Sequence, residues 1–322
     1  MSAPAQGLAE HVGAYLTHWR ALGRRYRQEE WLLTTLVREL PRLGHQDLNE
    51  AAFTAWFDLR SDRHPNSRRK WAQLVRHFCL FRRRSEPECF VPGAELVCRR
   101  QPYVTPVIVN DEQVARMIEA ADALEASPNS PLRAAVMRLA VVLLYTTGMR
   151  LGELRRLELQ DVEDDGAVLR IRESKYQKSR LLPLSPSTQA ELERYIDRRV
   201  QVFDRRPGAA LLCSRRRRSS GGYTMSGLQQ GIQDVLIAAG VGDARGHLPR
   251  IHDLRHSFAV QALARWYRQG ADVQVELPKL SMYMGHVSIE STAHYLRWTE
   301  QIAALASTRF EQQFAGVIGV GS

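Results

Sequence analysis

Apolar positions recur every three to four residues across 8–22, 26–40, 47–59 and 67–84, the spacing of helices that bury one face. Asp47-x-x-Glu50 has the form of a capping box at the start of the third of these. In the fourth, Arg68, Arg69, Lys70, Arg76, Arg82, Arg83 and Arg84 interleave with Trp71, Leu74, Val75 and Phe78, so one face can pack while another stays charged. The periodicity fades between Pro87 and Pro106, where Pro92 and Pro102 also fall, and a linker is expected there. It resumes with Asn110-Asp-Glu-Gln113, a second capping box, and a helix to about Leu124. An apolar helix opened by Ser130-Pro131 runs to Thr147 and stops at Gly148. The period then shortens: 167–172 and 180–184 read as strands around turns at 164–166 and 174–179. Helices return at 186–203, 226–239, 252–267, 277–284 and from 291 onward. The pattern predicts a mainly α protein with a small antiparallel β-sheet. A helical domain is expected over 1–90, a linker over 91–108 and a mixed α/β domain over 109–322.

Composition narrows the class. With 322 residues, 44% apolar and 25% charged, the chain has the make-up of a globular protein long enough for two cores. The longest apolar run, Leu139–Tyr145, falls far short of the roughly 18–20 residues a membrane span needs. No secretory signal is recognisable in the first residues, and a cytoplasmic protein is expected. The four cysteines (Cys79, Cys89, Cys98, Cys213) form no C-x-x-C pair. A net charge of +10 favours a polyanionic partner, nucleic acid first among them. The first 105 residues carry 17 basic against 11 acidic side chains, so much of the excess lies in the helical part. Lys70, Lys175, Lys178 and Lys279 are the only four lysines among 45 basic residues. Each is of interest because lysine can give up a proton where arginine in practice cannot.

The candidate chemistry lies at helix starts and on a strand turn. Arg150 follows the end of the apolar helix, either as a ligand group or as a surface arginine paired with Glu153. His252-Asp-Leu-Arg255-His256 opens a helix after Pro249, where backbone N–H groups and a guanidinium favour an anion. His252 and His256 also have the i, i+4 spacing of a helical zinc pair, with His286 as a possible third ligand. Against that, Asp253 stands where the metalloprotease form needs glutamate. A purely structural role for these histidines is the third alternative.

Taken in order, the motifs resemble the tyrosine recombinase (phage integrase, Xer) family over most of the chain. Thr147-Gly148-Met149-Arg150-Leu151-Gly152-Glu153-Leu154 is similar to its T-G-x-R-x-x-E-L segment. Ser174-Lys175-Tyr176-Gln177-Lys178-Ser179-Arg180 with Leu182-Pro183-Leu184 resembles its lysine-bearing hairpin, with Ser174 and Tyr176 in place of the usual glycines. His252-x-x-Arg255-His256-Ser257-Phe258-Ala259, Met284-Gly285-His286 and Thr292-x-x-Tyr295 match the remaining boxes. The first hundred residues match more loosely, as a core-type DNA-binding domain. The stretch around 264–277 is longer than the resemblance leads one to expect, by a longer helix or loop. Leu277-Pro278-x-Leu280-Ser281-x-Tyr283 looks more like transposon-borne members than like chromosome-dimer resolvases.

The resemblance implies an enzyme that cuts and rejoins DNA strands through a covalent 3′-phosphotyrosyl intermediate, with no metal, ATP or other cofactor. Tyr295 would be the nucleophile, with Tyr283 its nearest competitor. Arg150 and Arg255 would clamp the non-bridging oxygens and His286 would donate to the phosphate. His252 would act as general base or orienting group for Tyr295, and Lys175, ahead of Lys178, as the acid for the departing 5′-oxygen. Glu153 and Asp253 would orient the arginines. Arg68, Arg69, Lys70, Arg76, Lys178 and Arg180 would meet DNA. The implied partners are a duplex carrying a specific recombination site, clamped between the two domains, and further copies forming a tetramer on paired sites, or a related recombinase. The last helix, 300–314, would pack on a neighbouring subunit or on its own domain. Integration or transposition within the cytoplasm, on the nucleoid, is the expected role. The competing expectation is a DNA-binding protein that keeps the fold without the catalysis.

Overall fold

The computed structural model describes residues 4–96, 99, 101, 104–172, 179–215, 221–243 and 245–285. These form two compact units, Met1–Val104 and Thr105–Ser322.

The first unit is built from α1 (Pro4–Ala21), α2 (Arg27–Glu39), α3 (Glu50–Asp58) and α4 (Pro65–Arg82). Leu8, Tyr15, Leu33, Phe53, Trp56 and Phe78, contributed by all four helices, are buried in one core. Two expectations are corrected here. Asn49, not Asp47, caps α3, accepting from the Ala52 N–H at 2.8 Å. Asp47 is instead drawn to Arg82, which donates to its two oxygens at 2.6 and 2.8 Å and to Glu86 at 2.7 Å. Arg82 is therefore buried rather than part of a basic face.

In the second unit, α5 (Asp111–Asp122) starts with the expected capping box of Asn110 and Gln113. α6 (Arg133–Thr147) follows, beginning two residues after Ser130-Pro131. It is apolar on nearly every side, and Val136, Leu139, Ala140, Leu143 and Leu144 sit in the core, as such a helix must when its neighbours surround it. α7 (Leu151–Leu154) is a single turn. β1 (Val162–Glu163), β2 (Val168–Ile171) and β3 (Arg180–Pro183) form an antiparallel sheet in that order, with Leu169 opposite Leu182 and Ile171 opposite Arg180. Leu169, Ile171 and Leu182 face the core, while Arg170 and Leu181 face solvent, the period-two alternation of a half-buried sheet.

α8 (Pro186–Val200) and α9 (Met225–Ala238) are capped by Ser185 and Thr224. α10 (Ile251–Arg268) and α11 (Val273–Met284) complete the described fold. The long stretch between His252 and His286 is thus taken up by an extended α10, a turn with Gly270 at φ +70°, and an earlier start of α11. The predicted helices beyond 291 and at 300–314, and the turn at 174–179 apart from Ser179, lie outside the described residues. The result is a mainly helical protein with one small antiparallel sheet. Among the described residues no helix is long and apolar enough to cross a membrane.

Candidate active site

Gly148 ends α6 in the left-handed region at φ +60° and turns the chain toward α7. A side chain is excluded there twice: by the conformation, and because a Cβ would lie 2.4 Å from Cδ1 of Phe258. The turn leaves Arg150 at the N-cap of α7. Its backbone N–H donates to Oε2 of Glu153 at 2.9 Å and its Nη1 donates to Oε1 at 2.7 Å. Its Nη2 reaches across the fold to the carbonyl of Gly285 at 2.9 Å. Arg150 is thus both a partner of Glu153 and a bridge to a distant helix end.

Arg255 sits on the second turn of α10 and is only 2% exposed. It donates through Nη1 to the Gly148 carbonyl and through Nη2 to the Met284 carbonyl at 2.8 Å. A third arginine joins them. Arg180 of β3 donates through Nε to the Tyr283 carbonyl at 2.8 Å and forks onto Glu153 at 3.1 and 2.8 Å. Three consecutive carbonyls at the C-terminal end of α11, where the helix dipole is negative, therefore accept from three guanidiniums. Gly285, at φ +69°, permits this approach, since a Cβ there would come within 2.8 Å of Arg180 Nη1.

Glu153 is the hub of the cluster. Burial pushes its carboxyl pKa up, but hydrogen bonds and charge from Arg180, then Arg150, outweigh burial and hold it at about 2. Asp253 behaves differently from expectation. It is buried and binds Arg250, accepting from its N–H at 3.0 Å and its Nη2 at 2.8 Å, together with the Val107 N–H at 3.3 Å. Arg255 is oriented instead by main-chain carbonyls. Ser257 donates to the Asp253 carbonyl and accepts from the Val109 N–H, both at 2.8 Å, so 107–109 is laced to the first turns of α10.

His252 opens α10 with its side chain at the surface of a cavity of about 630 Å³, which Arg255, Arg250, Met149, Leu151 and Gln229 also line. The protein packed around its ring, and next the charge of Arg255, hold its pKa below the ordinary histidine value. That shift favours the neutral form, the one able to accept a proton. His256 lies one turn further on, buried, with the two rings edge to face at 4.9 Å. Burial first, and His252 second, push its pKa down to about 4. Among the described residues no group of three or more His, Cys, Asp and Glu is placed to hold a metal ion. Tyr283, the competing nucleophile, stacks on Phe258 and donates to the Pro183 carbonyl at 3.1 Å, and burial pushes its pKa up to about 12.

Of the expected catalytic set, Arg150, His252 and Arg255 are brought together, whereas Lys175, His286 and Tyr295 lie outside the described residues. Lys178 lies outside them too. Arg180, expected to meet DNA, has a side chain only 10% exposed. In the first unit Lys70 is exposed, Arg69 is half-buried, Arg68 lies over the Phe57 ring at 4.2 Å, and Arg76 donates to the Pro92 carbonyl. Arg250 and Ser257 are contributors to which motif reading gave no role, and Arg180 joins them in place of the DNA contact expected of it. The signal available for Arg250 was the i, i+3 spacing to Asp253 at a helix start.

Two buried or half-buried guanidiniums beside an imidazole suit a phosphodiester, whose extra charge in a displacement reaction falls on its non-bridging oxygens. Comparison with known proteins agrees. The phage integrase family matches residues 108–301, and the chain belongs to that family. It is 32% identical over 310 residues to the putative integrase/recombinase y4rE of Sinorhizobium fredii, covering 96% of this chain and 97% of that protein. Its fold is similar to that of the Tn1549 transposon integrase in complex with a circular intermediate DNA. There the TM-score is 0.62 at 16% identity, with 93% of this chain and 99% of that one covered. It is also similar to a lambda integrase tetramer bound to a Holliday junction, with TM-score 0.57, 15% identity and coverage of 87% and 77%. The protein is accordingly a DNA recombinase of the tyrosine recombinase type.

Proposed function

We propose that this recombinase cuts and rejoins DNA at a specific site through a 3′-phosphotyrosyl intermediate formed on Tyr295. The observation that supports this best is the convergence of Arg150 and Arg255 on the adjacent carbonyls of Gly285 and Met284, immediately before His286 in the sequence. Tyr295 Oη attacks the phosphorus, its proton passing to His252, while the P–O5′ bond breaks and Lys175 protonates the leaving oxygen. Arg150, Arg255 and His286 stabilise the charge on the non-bridging oxygens, in the place a metal ion takes in other phosphoryl transfers. A tyrosine ester keeps the bond energy, so rejoining is the reverse step and needs no ATP.

The helical unit, with Arg68, Arg69, Lys70 and Arg76, takes part in holding the duplex, and binding is strongly salt-dependent. The division into 1–90, 91–108 and 109–322 is part of the same reading. Two recombining sites need four strand cuts, which favours a tetramer on DNA. The likeness to the Tn1549 integrase supports a transposon-borne role.

Covalent capture tests the proposal. Wild type and Tyr295→Phe are mixed with nicked fragments of the DNA flanking the gene, with and without EDTA, then denatured. The expected result is a protein–DNA adduct from wild type alone, mapped to Tyr295 and insensitive to EDTA. Unchanged adduct in Tyr295→Phe overturns the nucleophile assignment, and strong inhibition by EDTA overturns the metal-free mechanism. Tight salt-sensitive binding with no adduct on any fragment returns the chain to a DNA-binding protein without catalysis.

A further inference from the structure

We propose that Arg180 is a positioning residue of the cleavage site, holding Arg150 through Glu153 and the end of α11 through the Tyr283 carbonyl, rather than a DNA contact. This rests on the phosphodiester reading above. Its side chain is turned inward, 10% exposed, and all three nitrogens of its guanidinium are engaged within the protein. Two of those bonds fork onto the same carboxylate that fixes Arg150 at both its backbone N–H and its Nη1. Each Glu153 oxygen thus accepts one bond from Arg150 and one from Arg180, so the two arginines share a single anchor. The third bond ties the same side chain to α11, one residue before the carbonyl that holds Arg255 and two before the one that holds Arg150.

In sequence Arg180 follows the lysine-bearing turn directly, so one side chain anchors strand β3 to α7, which follows Arg150, and to the end of α11, whose carbonyls accept from Arg150 and Arg255. The fork geometry is specific to a guanidinium. Lysine supplies the charge but not two parallel donors for Glu153 plus a third for Tyr283.

The test uses the full chain, with Arg180→Ala and Arg180→Lys beside wild type and Arg150→Ala. Single-turnover cleavage is measured on a normal scissile phosphate and on a neutral methylphosphonate at the same position. DNA affinity is measured against salt. A misplaced clamp is expected to slow cleavage of the normal phosphate about 10²-fold in Arg180→Ala. The loss should be much smaller on the methylphosphonate, where there is less charge to clamp, in parallel with Arg150→Ala. Affinity and its salt slope should match wild type. Arg180→Lys keeps the fold but recovers only part of the rate.

Equal losses on both substrates overturn the proposal, because they mark a general structural fault. A salt slope reduced by about one, the signature of a lost phosphate contact, overturns it in favour of DNA binding. The affinity measurement stands even where wild type forms no adduct, an outcome that would fault the cleavage mechanism and not the assignment of Arg180.

Discussion

Arg150 and Arg255 lie more than a hundred residues apart, yet they donate to neighbouring carbonyls, Gly285 at 2.9 Å and Met284 at 2.8 Å. The C-terminal end of α11 serves as a template that sets the two guanidiniums side by side. Main-chain acceptors suit this role because they cannot rotate away as a side chain can, and they carry no full charge to compete with a bound phosphate.

Removing one arm of the clamp should affect rate more than binding. Arg255→Gln is expected to lower single-turnover cleavage about 10²–10³-fold, while affinity for the duplex changes little. Rapid-quench cleavage and a binding isotherm at the same salt concentration check this, and a matching loss of affinity would argue against a role confined to the transition state.

Glu153 neutralises two arginines in a buried setting, so Glu153→Gln leaves uncompensated charge behind. A loss of about 3–5 kcal/mol in unfolding free energy is expected, as for breaking one partner of a buried ion pair. The carboxyl titrates at about 2 in the folded chain, below its ordinary value. Its contribution is therefore present at neutral pH and is lost as pH falls from the ordinary carboxylate range toward 2. Urea unfolding of wild type and variant should show a gap at pH 7 that narrows at pH 3.

His256 makes the same kind of pH demand in a higher window. Its pKa is about 4 in the fold and near 6.5 when the chain unfolds, so acid favours the unfolded state. Stability is expected to fall as pH drops from about 6.5 toward 4. His256→Phe should flatten that part of the profile. A thermal-unfolding series across this range decides it, and identical slopes in both proteins would remove His256 as the cause.

Gly148→Ala combines two penalties that can be separated. The left-handed conformation costs about 1–2 kcal/mol for any residue with a Cβ. The contact 2.4 Å from Phe258 adds a steric cost. The double variant Gly148→Ala/Phe258→Ala should recover the steric part alone relative to Phe258→Ala. A calorimetric double-mutant cycle reads the two apart.

Local features are legible in the chain without its fold. The helices follow from apolar spacing, the start of α5 from Asn110 and Gln113, the end of α6 from Gly148, and the strands from alternation around 164–184. Arg150, His252 and Arg255 were legible because their motifs sit at helix boundaries, where backbone geometry and residue type are tightly coupled. Which charged side chains are sequestered was settled by tertiary packing. Asp47 reads as a helix cap until Arg82, 35 residues on, recruits it. Arg180 reads as a DNA contact until Glu153, 27 residues back, turns it inward. A charge on a helix or strand is compatible with water, phosphate or a buried carboxylate, and local propensity does not distinguish them. The choice depends on which opposite charge the packed core brings within hydrogen-bonding reach, and that partner is set by the fold rather than by neighbouring residues in the chain.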